Sequence, residues 1–343
     1  MIAVVGTGSW GTTLAVVLAR SGHETALLAR SAAEAAELRT AGENRRFLPG
    51  VRLPAELLIT DSASGALRGR RLILLVVPAQ TMRRNLLALR PHLPPDAILL
   101  SCTKGLELET SQRMSEVIQD VLGPGASGRV AALSGPNLAP EVARGMPTAT
   151  VVSARDERVA AFVQSEVRVP HLRIYTNADL IGVELAGALK NVIALGAGIC
   201  DGLGYGDNAK AAFLTRGLAE IARLGMAMGA NPLTFAGLAG IGDLVATCAS
   251  RLSRNRHVGE ELGLGRTLAE IQAGMAQVAE GVPTTAAAKE LGQQYGVELP
   301  IVEQMHAVLF QGASPRVAVG ELMTRDRKDE LTGMVARTRG GQT

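Results

Sequence analysis

The sequence predicts an α/β protein, with an amino-terminal doubly wound sheet followed by an all-α carboxy-terminal domain. Three observations carry this prediction. Short unbroken apolar runs alternate with helical patterns in the first half, which is the signature of a mostly parallel sheet covered on both faces. A glycine-rich turn closes the first of those runs. Beyond about Asn177 the strand pattern stops, and Ala, Leu, Gly, Glu and Arg follow at helical spacing. The expected boundaries are 1–177 for a dinucleotide-binding domain and 178–343 for a helical substrate-binding domain.

Taken in order, the runs expected as strands are Ile2–Val5, Thr25–Ala29, Leu72–Val77, Ala97–Ser101, Val130–Leu133, Thr148–Ser153 and Leu172–Tyr175. Thr12–Arg20 and Ser111–Leu122 have helical length and composition. Helical spacing also covers Val183–Gly198, where the glycines at 182, 187, 196 and 198 suit close helix packing. Asp201–Asn208 and Gly240–Asp243 read as loops, and the polar tail Arg337–Thr343 reads as frayed.

A chain of 343 residues is long enough for two domains and a large core, so it needs no structural metal or disulfide. A net charge of +3 and 3% aromatic residues give no nucleic-acid surface. The distant cysteines Cys102, Cys200 and Cys248 read as small apolar residues of a reducing cytoplasm, and five scattered histidines give no metal-binding spacing. Met1 runs straight into Ile2-Ala3-Val4-Val5 without a basic targeting region. The apolar stretch from Ile181 to Gly204 holds Glu184, Lys190, Asn191 and Asp201, too many polar groups for a membrane span. The expectation is a soluble cytoplasmic protein.

Gly6-Thr7-Gly8-Ser9-Trp10-Gly11 follows the first strand and opens the first helix. In this Rossmann-type context one glycine makes the tight turn, one lets a pyrophosphate approach, and one lets helix and strand pack closely. The helix amino terminus then receives the phosphate charge. Arg30 stands at the end of the second strand, where an acid would hold a free ribose. It favours NADP(H), with NAD(H) still admissible.

Lys190 lies on a helical face with Ala186, Gly187, Ile193, Ala194 and Ala197. A lysine there must snorkel, pair with an acid or point into a cavity. Burial would lower its pKa towards the range useful for proton transfer. Asp243, preceded by two glycines in Gly240-Ile241-Gly242-Asp243, is either its partner or a helix N-cap. Ser253-Arg254-Asn255 offers a hydroxyl, a guanidinium and an amide, suited to a small phosphate ester or to a solvated basic turn. Lys104 and the Gly135-Pro136-Asn137 turn each follow a strand, at the carboxyl edge where such sheets bind ligands. Asn137 either caps the next helix or reaches a ligand.

The motif set resembles the bacterial type of NAD(P)-dependent glycerol-3-phosphate dehydrogenase. Matching stretches include GTGSWGTTLA, NRRFLPG, VVPAQ, TKGLE, SGPNLAPEVA, VELAGALKNVIALGAGICDGLGYGDNAK, GLAGIGDLVATC, SRNRHVG and VAEGVPT. The resemblance implies reversible reduction of dihydroxyacetone phosphate to sn-glycerol 3-phosphate for glycerophospholipid synthesis. It implies Lys190 as proton donor and acceptor with Asp243 beside it. Lys104, Gly135, Asn137, Ser253, Arg254 and Asn255 would contact substrate. Ser9, Trp10, Arg30, Lys104, Ala139, Arg254, Val278 and Glu280 would line the dinucleotide. No metal is required, and a homodimer is compatible with the pattern. Asn137 stands where relatives have Ser or Thr, and Phe47 where tyrosine is common. A dehydrogenase for a hydroxy acid or acyl-CoA would need a carboxylate or CoA site, for which no motif matches better. A non-catalytic NADP sensor would make Lys190 and Asp243 dispensable.

Overall fold

A computed structural model describes residues 1–275, 277–326 and 330. The tail Arg337–Thr343 lies outside them. Ten strands form: β1 (Ile2–Val5), β2 (Thr25–Leu28), β3 (Glu43–Asn44), β4 (Leu48–Arg52), β5 (Leu58–Thr60), β6 (Leu72–Leu75), β7 (Ile98–Ser101), β8 (Val130–Ser134), β9 (Thr148–Ala154) and β10 (Leu172–Asn177). Eight of them make one sheet in the order β10-β9-β8-β7-β6-β1-β2-β5. The β8–β9 pair is antiparallel, and every other neighbouring pair is parallel.

Each apolar run expected as a strand is one, within two residues at its ends. The four residues of β1 and of β6 are all buried, as strands covered on both faces must be. Three strands were not foreseen. β5 is three residues long, and its alternating burial lacks a continuous apolar run. The β3–β4 hairpin lies across NRRFLPG, where the charged residues mask it.

The chain reverses direction between β1 and β6, so the crevice at their carboxyl ends is the switch point at which such sheets bind ligands. No strand follows Asn177 among the described residues. The helix Leu180–Gly202 is 23 residues long and is buried without interruption from Leu185 to Cys200. A helix apolar on all sides belongs in the centre of a domain. It and the segment 232–249 are long and apolar enough to cross a membrane, but the most apolar window of the first is 89% buried inside the protein.

Two glycines fix its closest neighbour. A Cβ on Gly198 would stand 2.0 Å from the Arg256 carbonyl oxygen, and one on Gly259 would stand 1.8 Å from that of Leu195. The helix Arg254–Gly263 therefore packs backbone against backbone on the central helix, which sets its first turn beside the central helix. The expected loop at 240–243 is helical instead. A π-type turn, Leu238–Gly242, runs into the helix Asp243–Ala249, with Gly240 at φ −90°, ψ −106° absorbing the kink. The loop expected at 201–208 is shorter, because helices reach to Gly202 and restart at Asp207.

Candidate active site

Two of the three glycines in the turn are sterically required, and the third is open. Gly6 has φ +114°, and a Cβ there would lie 2.3 Å from the Val76 carbonyl oxygen. A Cβ on Gly11 would lie 2.0 Å from the Gly6 oxygen, whereas one on Gly8 would meet nothing within 4 Å. Gly6 and Gly11 thus close the turn, and Gly8 leaves an open face at the amino terminus of the helix Ser9–Arg20. Thr13 in that helix donates to the Ala139 carbonyl at 3.2 Å, bringing the loop after β8 alongside.

Across the crevice, Glu280 accepts the Ala79 backbone N–H on Oε1 at 3.1 Å. Its other oxygen is buried without a hydrogen-bond partner among the described residues, as is the Trp10 indole nitrogen. Burial pushes the Glu280 carboxyl up to about 6. Arg254 donates to the Val278 carbonyl at 3.0 Å, closing the same wall. An open glycine face, a helix amino terminus and buried unpartnered polar atoms together fit a dinucleotide.

At the centre, Lys190 is 5% exposed and Asp243 is 2% exposed. The Lys190 ammonium donates to Asp243 Oδ1 at 2.6 Å and also to the Thr247 hydroxyl. Lys104, from the loop after β7, donates to Asp243 Oδ2 at 2.7 Å and to the Gly135 carbonyl at 2.8 Å. Thr247 donates to Asp243 Oδ1 at 3.2 Å. One buried carboxylate is therefore shared by two ammonium groups. Burial pulls the Lys190 pKa down to about 8, with Asp243 opposing the shift and Lys104 adding to it. Burial alone would raise the Asp243 carboxyl, but Lys104 and Lys190 outweigh it and hold the group below its usual value. Of the two readings open for Asp243, partner and cap, the geometry selects the partner. Gly242 takes the N-cap place, and the carboxylate points to the lysines.

Gly187 permits this convergence. A Cβ there would lie 2.4 Å from the Ser134 hydroxyl and 3.7 Å from Lys104 Cγ. Gly135 has φ +133° and turns the chain after β8 so that its carbonyl meets Lys104. Asn137 does not cap a helix. It donates to the Thr150 hydroxyl at 3.0 Å, which donates onward to the Ser134 carbonyl at 2.7 Å. The Asn137 side-chain oxygen is left buried with no hydrogen-bond partner among the described residues.

Ser253 caps its helix by accepting the Arg256 N–H at 3.2 Å. Asn255 is buried and works internally. It donates to Asn191 at 2.9 Å and accepts the Gly281 N–H at 2.9 Å. Asn191 itself donates to the Lys104 carbonyl at 3.4 Å. Sequence reasoning overlooked Asn191 and Thr247. Asn191 adjoins Lys190 in a buried helix, and Thr247 lies four residues after Asp243 on the same helical face, so both had a positional signal.

Arg30 corrects one step of the sequence argument, the supposed lack of a carboxylate at the second strand's end. Its guanidinium binds Glu34, with Nη2 to Oε1 at 2.5 Å. Phe47 lies under both Arg30 and Arg46, at 5.8 and 4.9 Å from its centroid. The three cysteines are buried and free, and burial pushes the Cys248 thiol up to about 12. Among the described residues no group of three or more His, Cys, Asp or Glu could hold a metal ion.

A switch-point crevice with a glycine cradle, facing a lysine–aspartate–lysine cluster to which both halves contribute, defines a nicotinamide-dinucleotide-dependent dehydrogenase. Residues 1–160 match the NAD-dependent glycerol-3-phosphate dehydrogenase N-terminus and residues 179–320 match its C-terminus. The NAD(P)+-dependent glycerol-3-phosphate dehydrogenase of Citrifermentans bemidjiense is 53% identical over 96% of this chain and 98% of its own. That of Streptomyces griseus is 51% identical over 96% and 97%. The crystal structure of glycerol-3-phosphate dehydrogenase from Coxiella burnetii superposes with a TM-score of 0.89 at 38% identity, covering 94% of this chain and 98% of that one. The chain belongs to the NAD-dependent glycerol-3-phosphate dehydrogenase family.

Proposed function

We infer that this protein is a soluble, cytoplasmic enzyme that reversibly reduces dihydroxyacetone phosphate to sn-glycerol 3-phosphate, the backbone of glycerophospholipids. The observation that carries the mechanism is the Asp243 carboxylate gripped by two ammonium groups, Lys190 and Lys104. A bound NAD(P)H supplies the hydride. The chain's own residues manage the charge and the proton.

As the carbonyl oxygen gains negative charge, Lys190 Nζ donates a hydrogen bond and then its proton to it. General acid help of this kind is worth roughly 10²–10⁴-fold. Two cations against one carboxylate leave a surplus positive charge in a dry site, which stabilises that oxygen. Asp243 orients Lys190 and keeps enough positive charge on it to act as an acid near neutral pH. Lys104, Gly135, Asn137, Ser253, Arg254 and Asn255 are assigned to the substrate, with Arg254 suited to the phosphate. Gly6, Gly8, Ser9, Trp10, Gly11, Arg30, Lys104, Ala139, Arg254, Val278 and Glu280 are assigned to the dinucleotide. Binding energy from the phosphate end holds the carbonyl in place for the transfer.

The test is oxidation of NADPH or NADH by purified protein with dihydroxyacetone phosphate. Turnover with this substrate, and its loss in Lys190→Ala, is the expected result. An inert wild type, or a variant that turns over unchanged, refutes the reading.

A further inference from the structure

The acid missing at the end of β2 is supplied from the next helix. Glu34 lies in the first turn of the helix Ala32–Ala41 and reaches back to the glycine turn. Its Oε1 accepts from the Thr7 hydroxyl at 2.8 Å and from Arg30 Nη2 at 2.5 Å, and its Oε2 accepts the Arg30 backbone N–H at 2.8 Å. Thr7 stands inside the glycine fingerprint. The carboxylate therefore sits against that turn, about 20 residues downstream of it, where a site of this type presents the acid for a ribose 2′-hydroxyl. Arg30 occupies the place of a 2′-phosphate reader. The two alternative readers of the 2′ position are thus bonded to each other. The Glu34 side chain is 15% exposed against 62% for Arg30, so the acid is the anchored member of the pair.

We propose that Glu34 sets the ratio in which the enzyme uses NADPH and NADH. A 2′-phosphate that engages Arg30 meets a guanidinium whose Nε and Nη2 are already held by the Glu34 carboxylate, which also repels it. A ribose with a free 2′-hydroxyl leaves the pair intact and donates to the carboxylate. Arg46, which shares the Phe47 ring with Arg30, has no carboxylate within 4 Å among the described residues and adds a second cation to the same patch. If Glu34 only braced the start of its helix, its loss would affect both cofactors alike.

The inference rests on the dehydrogenase reading above, and its test separates the two. kcat/KM for NADPH and for NADH is measured with dihydroxyacetone phosphate in wild type, Glu34→Gln and Arg30→Ala. Glu34→Gln is expected to raise the NADPH-to-NADH ratio roughly fivefold or more, the scale of losing one exposed charge interaction, and Arg30→Ala to lower it. In parallel, 2′,5′-ADP and 5′-ADP are titrated against the fluorescence of Trp10, the only tryptophan. Glu34→Gln should tighten the first and not the second. A ratio within twofold of wild type, or an equal change for both ligands, overturns the proposal. If wild type oxidises neither cofactor, the activity reading fails, and the 2′,5′-ADP titration still decides the role of Glu34.

Discussion

Two buried charge clusters lie on the same central helix, and they differ in how their charges balance. At its first turns Glu184 accepts Arg113 Nη1 at 2.7 Å, the Ser115 hydroxyl at 2.5 Å and the Ser115 backbone N–H at 2.8 Å. One buried carboxylate meets one buried guanidinium, and both side chains are under 10% exposed. Arg113 comes from the sheet-bearing half, so the pair ties that half to the helix. Less than two turns further on, Lys190 and Lys104 share the single carboxylate of Asp243. In the first cluster the guanidinium also pairs with Glu116 at 2.6 Å, so two carboxylates meet one cation and no cation is in excess, which suits structure. The second carries an excess cation, which is costly unless an anion is to be met there.

The contrast breaks most severely at Lys190. Lys190→Ala should lower kcat by roughly 10²–10⁴-fold while leaving the melting temperature at or above that of the wild type, since a buried cation is removed. Lys190→Arg should fail nearly as badly, because a guanidinium holds its charge but cannot release the proton. Steady-state rates and a thermal melt of each variant decide this. Equal losses of stability at Lys190 and Glu184 would erase the distinction between the clusters.

A pH profile sharpens it next. With the Lys190 pKa at about 8, reduction of dihydroxyacetone phosphate needs the ammonium and should decline as pH rises through that value. Oxidation of glycerol 3-phosphate needs the free amine and should rise over the same interval. Initial rates in both directions across pH 6–10 check the sign.

Glu184→Ala should do the reverse of Lys190→Ala. It removes the acceptor of Arg113 Nη1 and of both Ser115 donors, leaving Arg113 only the Glu116 carboxylate, and should cost about 3 kcal/mol of stability, read from denaturant unfolding. The kcat of the folded fraction should change far less than in Lys190→Ala. The smallest effect is expected at Thr150, a positioning residue for Asn137. Thr150→Val removes the acceptor that orients the amide, and KM for dihydroxyacetone phosphate should rise by a factor of a few at nearly constant kcat.

Much of the fold was legible because its signals are local. β1, the glycine turn and the first helix are contiguous, so turn chemistry and burial pattern fall within twenty residues. Lys190 stood out because helical periodicity placed it on an apolar face. The hairpin across NRRFLPG and the short β5 were not legible, since neither has an unbroken apolar run. A helix start at Asp243 was open to the sequence, but the two glycines before it read as loop until the π-type turn is seen to absorb them. Asn191 and Thr247 had the right spacing, but nothing in a single sequence says which buried polar neighbour is shared.

By itself the sequence determined the class of sheet, the place of the glycine turn and the lysine at the centre of an apolar helical face, because each depends on neighbours along the chain. Only the tertiary structure decided which charges meet. Lys104 and Asp243 are far apart in sequence and meet where Gly187 lets the central helix close on Ser134 and Gly135, at positive φ, turns its carbonyl to Lys104. Glu34 pairs with Arg30 by a contact that strand-end reasoning overlooked. Electrostatics acts through distance in space, and that distance is fixed by packing.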